Sequence, residues 1–188
     1  MEEIEIEYKT LLTKEQFSDI LHRYPFPKEP VVQTNHYFET KNFALKQKAA
    51  ALRIREIAGK YVITLKEAKT DHVLETHDTI DKETFIAWKN DQITFANASG
   101  DALKRLGIKA EELRYVGSLT TTRYSFTKAD VTYCLDKSTY ANQVDYELEI
   151  EEASPGEAKS IFDKIVTQSK VTNIVSETKI ARFFKAIE

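Results

Sequence analysis

The chain has 188 residues, 41% of them hydrophobic, enough for the core of one domain or of one domain with a small helical side-piece. Its 27 basic and 30 acidic residues leave a formal net charge of −3, which gives no reason to expect a nucleic-acid binder held by bulk charge. The single cysteine, Cys134, excludes an intramolecular disulfide and a cysteine-built zinc cluster. No apolar stretch is long enough to cross a membrane as a helix. Residues 1–12 carry acids where a signal peptide has bases. A cytoplasmic protein is the expectation.

Alternation of apolar and polar residues predicts a strand over 3–12. Thr13 and Gln16 then stand at capping-box spacing and open a helix over 13–23 that buries Phe17, Ile20 and Leu21. Pro25, Pro27 and Pro30 mark a loop. Strands follow at 31–39, 50–57, 60–67 and 72–79, with a tight hairpin at Ala58-Gly59. Asp81 caps a helix over 82–90 that carries Phe85 and Trp88 on one face, and a helix over 100–106 ends before Gly107. Strands return at 113–127 and 130–137, turning at Lys128-Ala129, and at 143–152. Ser154-Pro155-Gly156-Glu157 reads as an N-cap, a proline at N1 and an acid at N3, opening a helix with Ile161, Phe162, Ile165 and Val166. Ser176 opens a last helix through Phe183, Phe184 and Ile187. Most strands are joined without a helix between them, so an antiparallel sheet is expected, and eight strands suffice to close one. The predicted fold is α+β, mainly β: a closed eight-stranded antiparallel barrel with flanking helices, one domain over 1–188.

The charged faces of these strands carry the chemistry. Side chains alternate across a strand, so Glu5, Glu7 and Lys9 share one face and Ile4, Ile6 and Tyr8 the other. Glu147 and Glu149, with Glu151 continuing the spacing, repeat the pattern near the other end of the chain. Arg53 and Arg55 put two guanidiniums on one face, Lys66 adds an ammonium, and Arg123 shares a face with Thr121 and Ser125. One such strand alone is a sheet face turned to water. Together they differ from that: the two acid-rich strands are the first and last, adjacent or nearly so in a closed barrel. Like charges brought together across strands repel unless a cation neutralises them. With the apolar faces covered by helices, the charged faces turn inward. Such an interior suits triphosphate, a polyanion that binds Arg and Lys directly and carboxylates through bridging Mg²⁺ or Mn²⁺.

Glu5-Ile6-Glu7-Tyr8-Lys9 resembles the ExExK signature of the CYTH superfamily, the triphosphate tunnel metalloenzymes. Tyr37-Phe38-Glu39-Thr40, Arg53-x-Arg55, Lys66, Glu75, Arg123, Asp136, Glu147-x-Glu149 and Lys179 follow in order, so the resemblance spans nearly the whole chain. It looks closest to the compact stand-alone bacterial members. The family pattern often has Asp after the aromatic pair, where this chain has Glu39. The resemblance implies an eight-stranded tunnel and a divalent-metal enzyme acting on a triphosphate. It implies Glu5, Glu7, Glu147 and Glu149 as metal ligands. Lys9, Arg53, Arg55, Lys66, Arg123 and Lys179 would bind phosphate oxygens, and Arg182, at i+3 from Lys179, would join them. Glu75 and Asp136 are expected as supports that orient the basic residues or a second metal. Some relatives activate water with a Tyr–Lys pair, which makes Tyr37 and Lys66 the catalytic candidates.

Other residues read as structural. His22, His36, His72 and His77 form no metal-ligand spacing and are assigned to surface or packing. Trp88, Phe85, Phe183 and Phe184 are expected in the core, and Cys134 as a small buried hydrophobe. The expected function is metal-dependent hydrolysis of tripolyphosphate, thiamine triphosphate or a nucleoside triphosphate. A class IV adenylyl cyclase and a non-catalytic polyphosphate-binding module are the alternatives. Oligomeric state stays open between monomer and homodimer.

Overall fold

Three two-residue turns fix three of the hairpins. Ala58-Gly59, Ala129-Asp130 and Ala141-Asn142 all have positive φ at both positions, which matches the twist of the strands they join. The second turn lies one residue beyond the expected Lys128-Ala129, because the strand before it runs on through Lys128. The third was hidden in the sequence because Ala141-Asn142 lacks glycine.

A computed structural model describes residues 2–172 and 177–187. Its strands are β1 (Glu2–Leu12), β2 (Val31–Thr40), β3 (Ala50–Ile57), β4 (Lys60–Ala68), β5 (Val73–Ile80), β6 (Leu113–Lys128), β7 (Val131–Tyr140) and β8 (Gln143–Glu152). They close into an antiparallel barrel in the order β1-β5-β4-β3-β2-β6-β7-β8. The first and last strands are neighbours, with Glu7 opposite Glu151 and Lys9 opposite Glu149. The helices are α1 (Lys14–Arg23), α2 (Ala44–Gln47), α3 (Lys82–Lys89), α4 (Ala98–Arg105), α5 (Ala158–Gln168) and α6 (Lys179–Ile187). No helix among the described residues is long and apolar enough to cross a membrane.

The Cα packing falls into two compact units, Met1–Ile4 with Gln33–Leu119, and Glu5–Val32 with Thr120–Glu188. In the first, Phe38, Leu52, Ile54, Ile63 and Leu65 of the sheet pack against Phe85 and Trp88 of α3 and Leu103 of α4. In the second, Leu135, Leu148 and Ile150 meet Phe17 and Ile20 of α1 and Phe162 and Ile165 of α5. The bore of an eight-stranded barrel admits side chains and not helices. The helix-covered faces are therefore the outer ones, and in each unit the charged face is the inner one.

Two helix starts follow the sequence. Thr13 and Gln16 form the expected capping box, and Asp81 accepts from the Thr84 amide. Gly107 adopts φ +71 just past α4, which itself begins two residues early, where Asn97 accepts from the Gly100 amide. The start of α5 is different. Ser154 does not cap it; the helix begins at Ala158. The buried Glu152 carboxylate at the end of β8 accepts from the Gly156 and Ala158 amides instead. A Cβ on Gly156 would meet Glu152 Oε2 at 2.8 Å, so the glycine lets the carboxylate approach. Glu39 does the same service at the end of β2, accepting from the Leu45 and Lys46 amides of the short α2, a helix the periodicity did not predict. Ser176, expected to open the last helix, lies outside the described residues, and α6 begins at Lys179.

Candidate functional site

Each unit holds its charged side chains on one face of its strands, fixed there by the alternation of the strands and by register. In the second unit β1 contributes Glu5, Glu7 and Lys9, and β6 contributes Arg123. Across the β6–β7–β8 ladder Arg123 stands opposite Asp136, and Asp136 opposite Glu147. Helix α6 does not cover the outside as the other helices do. Its first turn delivers Lys179 and Arg182 to this charged face, where only the acid rows can neutralise them.

The acids divide by partner. Arg123 is bidentate on Asp136, at 2.8 and 2.7 Å, and also bonds Glu149. Lys179 Nζ lies 2.8 Å from Asp136, 2.6 Å from Glu147 and 2.6 Å from Glu149. Arg182 donates to Asp145 at 2.8 Å and to Glu147 at 2.9 Å. The expected phosphate contacts Arg123, Lys179 and Arg182 thus have their donors on carboxylates, and the expected metal ligands Glu147 and Glu149 have basic partners. The carboxylates that gather as a donor set are Glu5, Glu7 and Glu151, with one oxygen of each within 4.8 Å of the others. Lys9 pairs with Glu7.

Electrostatics sets Glu147 and Glu149 apart. Burial opposes ionisation of Glu149, but Lys179, Arg123 and Lys9 outweigh it and hold its carboxyl well below the usual range. Burial, reinforced by the Glu149 charge, pushes Glu147 upward against the pull of Lys179 and Arg182. Lys179 and Arg123 are buried, yet the facing carboxylates keep both firmly charged. Counting Asp136 and Asp145, this face carries seven carboxylates against four cations among the described residues. Cys134, opposite Glu149 in the register, is buried as expected, but on this charged face. Burial foremost, with the nearby acids, pushes its thiol far above the ordinary range, which disfavours the thiolate.

The charged face of the first unit carries Arg53, Arg55 and Lys66, with Glu75 among them. Tyr37 stands opposite Arg53, Arg53 opposite Thr64, and Thr64 opposite His77, one row across four strands. Beside that row, Lys66 is opposite Glu75 and forms an ion pair with it. Arg55 donates to Asn35 at 3.0 Å. Arg53 Nε is buried with no protein acceptor among the described residues, an exception to the rule that buried donors are satisfied. Tyr37 is 3% exposed and shares the face with Lys66, with Arg53 on the strand between them.

Four contributors were not assigned to the site in the sequence reading: Asp145, Asn35, Thr64 and His77, the last of which was read as a surface or packing residue. Asp145 and His77 continue an alternation already recognised, two residues from Glu147 and from Glu75. Asn35 and Thr64 carried no signal of their own, because their place depends on which strands lie next to one another.

Comparison with known proteins gives the setting. A family model described as the CYTH domain matches residues 3–184. A Bacillus subtilis protein, YjbK, to which a triphosphatase role is provisionally ascribed, is 39% identical, the match covering 98% of this chain and 96% of that one. A solved structure from Bacillus halodurans, a candidate adenylate cyclase, is 35% identical with a TM-score of 0.91, covering 97% of this chain and 98% of that one. A Hippeastrum candidate adenylyl cyclase, HpAC1, described as having a dominant triphosphatase activity, matches at a TM-score of 0.80. At 21% identity, with 97% of this chain and 95% of that one covered, it bears on the fold alone.

Proposed function

Because this chain belongs to the CYTH domain family, we propose that it hydrolyses a small triphosphate with the help of a divalent metal ion. Tripolyphosphate, thiamine triphosphate and nucleoside triphosphates are the substrates in view. The observation that carries the reading is the imbalance of seven carboxylates to four cations on the charged face of the second unit. A polyanion brought against that face is repelled unless further positive charge arrives with it.

The donor set fits a hard cation. Ligand oxygens held about 2.0–2.6 Å from one ion lie no more than about 5 Å apart, and those of Glu5, Glu7 and Glu151 lie within 4.8 Å. Oxygen donors alone favour Mg²⁺ or Mn²⁺ over zinc. Glu5, Glu7 and Glu151 would hold the ion, with Glu147 and Glu149 beside them. A bound ion there supplies Lewis-acid stabilisation of charge on the phosphoryl oxygens.

The chain's own cations do the rest. Arg53 offers its unsatisfied Nε–H to a phosphate oxygen, and Arg55 and Lys66 are aimed by Asn35 and Glu75. In the second unit Lys9, Arg123, Lys179 and Arg182 exchange part of their carboxylate contacts for phosphate contacts. Asp136 keeps Arg123 in its bidentate orientation. Fixed cations of this kind stabilise the charge of an in-line displacement at the terminal phosphorus. Lys66 and Tyr37 are the proposed pair that orients and deprotonates the attacking water.

The test is phosphate release from tripolyphosphate, thiamine triphosphate and ATP, each with Mg²⁺ and with Mn²⁺. Release that needs the metal is the expected result. No release from any of them ends the proposal. Cyclic AMP and diphosphate as the products from ATP would transfer the site to the cyclase reading.

A further inference from the structure

His77 belongs to the charged face and not to the surface or packing role its sequence position suggested. It closes a square of four side chains on two adjacent strands. Thr64 and Lys66 lie on β4; Glu75 and His77 lie opposite them on β5. Lys66 Nζ pairs with Glu75 Oε1. His77 Nε2 lies 3.2 Å from the other oxygen, Glu75 Oε2, and His77 Nδ1 lies 3.1 Å from Thr64 Oγ1. Glu75 and Thr64 are both buried. Nε2 also lies 3.8 Å from Glu3 Oε2, but that carboxylate is more than half exposed and the contact is long.

In the neutral ring this arrangement selects one tautomer. A carboxylate accepts hydrogen bonds, so Nε2 carries the proton and donates to Glu75. Nδ1 is then bare and accepts from the Thr64 hydroxyl. The ring becomes a rigid spacer of fixed orientation, occupying one Glu75 oxygen. Without it that carboxylate loses one of the partners that fix its orientation toward Lys66.

We propose that His77, locked by Thr64, is a positioning residue that fixes the orientation of the Glu75 carboxylate and so keeps Lys66 aimed at the substrate phosphate. The proposal rests on the triphosphatase reading for what Lys66 is aimed at; the square itself does not. Outer groups that orient a functional residue typically change activity by about 10–100-fold when removed.

Two measurements test it, one free of any assay. Long-range ¹H–¹⁵N correlation of the histidine rings at pH 8 reads the form of His77 directly. A ring protonated at Nε2 and bare at Nδ1, which becomes a mixture of forms in Thr64→Val, is expected. A ring protonated at Nδ1, or the same spectrum in Thr64→Val, overturns the proposal. In turnover, His77→Leu should lower kcat at least about tenfold with KM within about twofold, and His77→Gln, which keeps a donor, should recover part of the loss. Wild-type kcat in His77→Leu, or a rise in KM alone, also overturns it. If wild-type protein hydrolyses no triphosphate, the function proposal fails, and the ring spectra still decide the fate of the square.

Discussion

Glu147 and Glu149 are two residues apart on one strand face and carry the same side chain, yet their surroundings treat them oppositely. Glu149 is stabilised as an anion by Lys179, Arg123 and Lys9, whereas burial disfavours the charge on Glu147. Glu149→Gln should therefore cost about 3–5 kcal/mol, the range for removing one partner of a buried pair. Glu147→Gln should cost clearly less. Urea unfolding of the two variants checks this, and equal losses or the reverse order would contradict it. The pH dependence follows with opposite signs. The folded-state depression of Glu149 stabilises the fold above the usual glutamate range and is lost as pH falls through and below it. The upward shift of Glu147 stabilises below that range and is lost as pH rises through the shifted value. His36, buried on the outer face of β2, is held below its usual 6.5 mainly by burial, although Glu56 bonds it at 3.3 Å. It binds protons more readily when unfolded, so stability should decline as pH falls below about 6.5. Thermal melts from pH 8 to 5, compared with His36→Gln, would reveal it; parallel curves for the two proteins would remove the effect.

At the scale of elements, helix starts separate what local sequence can say from what it cannot. The α1 capping box is written within four residues and formed as read. The start of α5 is set by Glu152, a residue whose place in the sequence reads as strand. Glu152→Ala should destabilise the protein by about 1–2 kcal/mol, since two amides at the helix start lose their acceptor. Ser154→Ala should leave stability within about 0.5 kcal/mol. Urea unfolding distinguishes the two; a larger effect at Ser154 would restore the local reading. The strands were legible to within a residue or two almost throughout, because one face of each packs under helices and the other is charged, which gives a strict period of two. The exception is β7, which runs to Tyr140 and not 137, since Lys137-Ser138-Thr139 breaks the apolar alternation.

For the molecule as a whole, closure places the first strand beside the last, and this brings Glu7 opposite Glu151. Like charges directly opposite are unfavourable, so a cation that binds there stabilises the fold by linkage, by about 2.7 kcal/mol at a hundred times its dissociation constant. Mg²⁺ or Mn²⁺ should raise the Tm of wild-type protein in the absence of any triphosphate. The rise should vanish in Glu5→Gln/Glu151→Gln. An unchanged wild-type Tm over millimolar metal, or an equal rise in the double variant, would rule out these carboxylates as the metal site.

The sequence by itself determined the eight strands, most of the helices that cover their apolar faces and the separation of charge to the opposite faces, because alternation and capping act over a few residues. It also determined the acid and base types on which the site is built. Only the tertiary structure decided which acid meets which base. Register and strand adjacency join residues 140 and 144 positions apart, as Lys9 opposite Glu149 and Glu7 opposite Glu151 are joined here. They gave Glu147 and Glu149 to Lys179, Arg123 and Arg182, and brought Glu151, itself 3.7 Å from Arg123, together with Glu5 and Glu7. They likewise turned His77 from an isolated imidazole into a partner of Thr64 and Glu75. Charge acts through distance in space, and a linear order of residues does not contain those distances until the chain has folded.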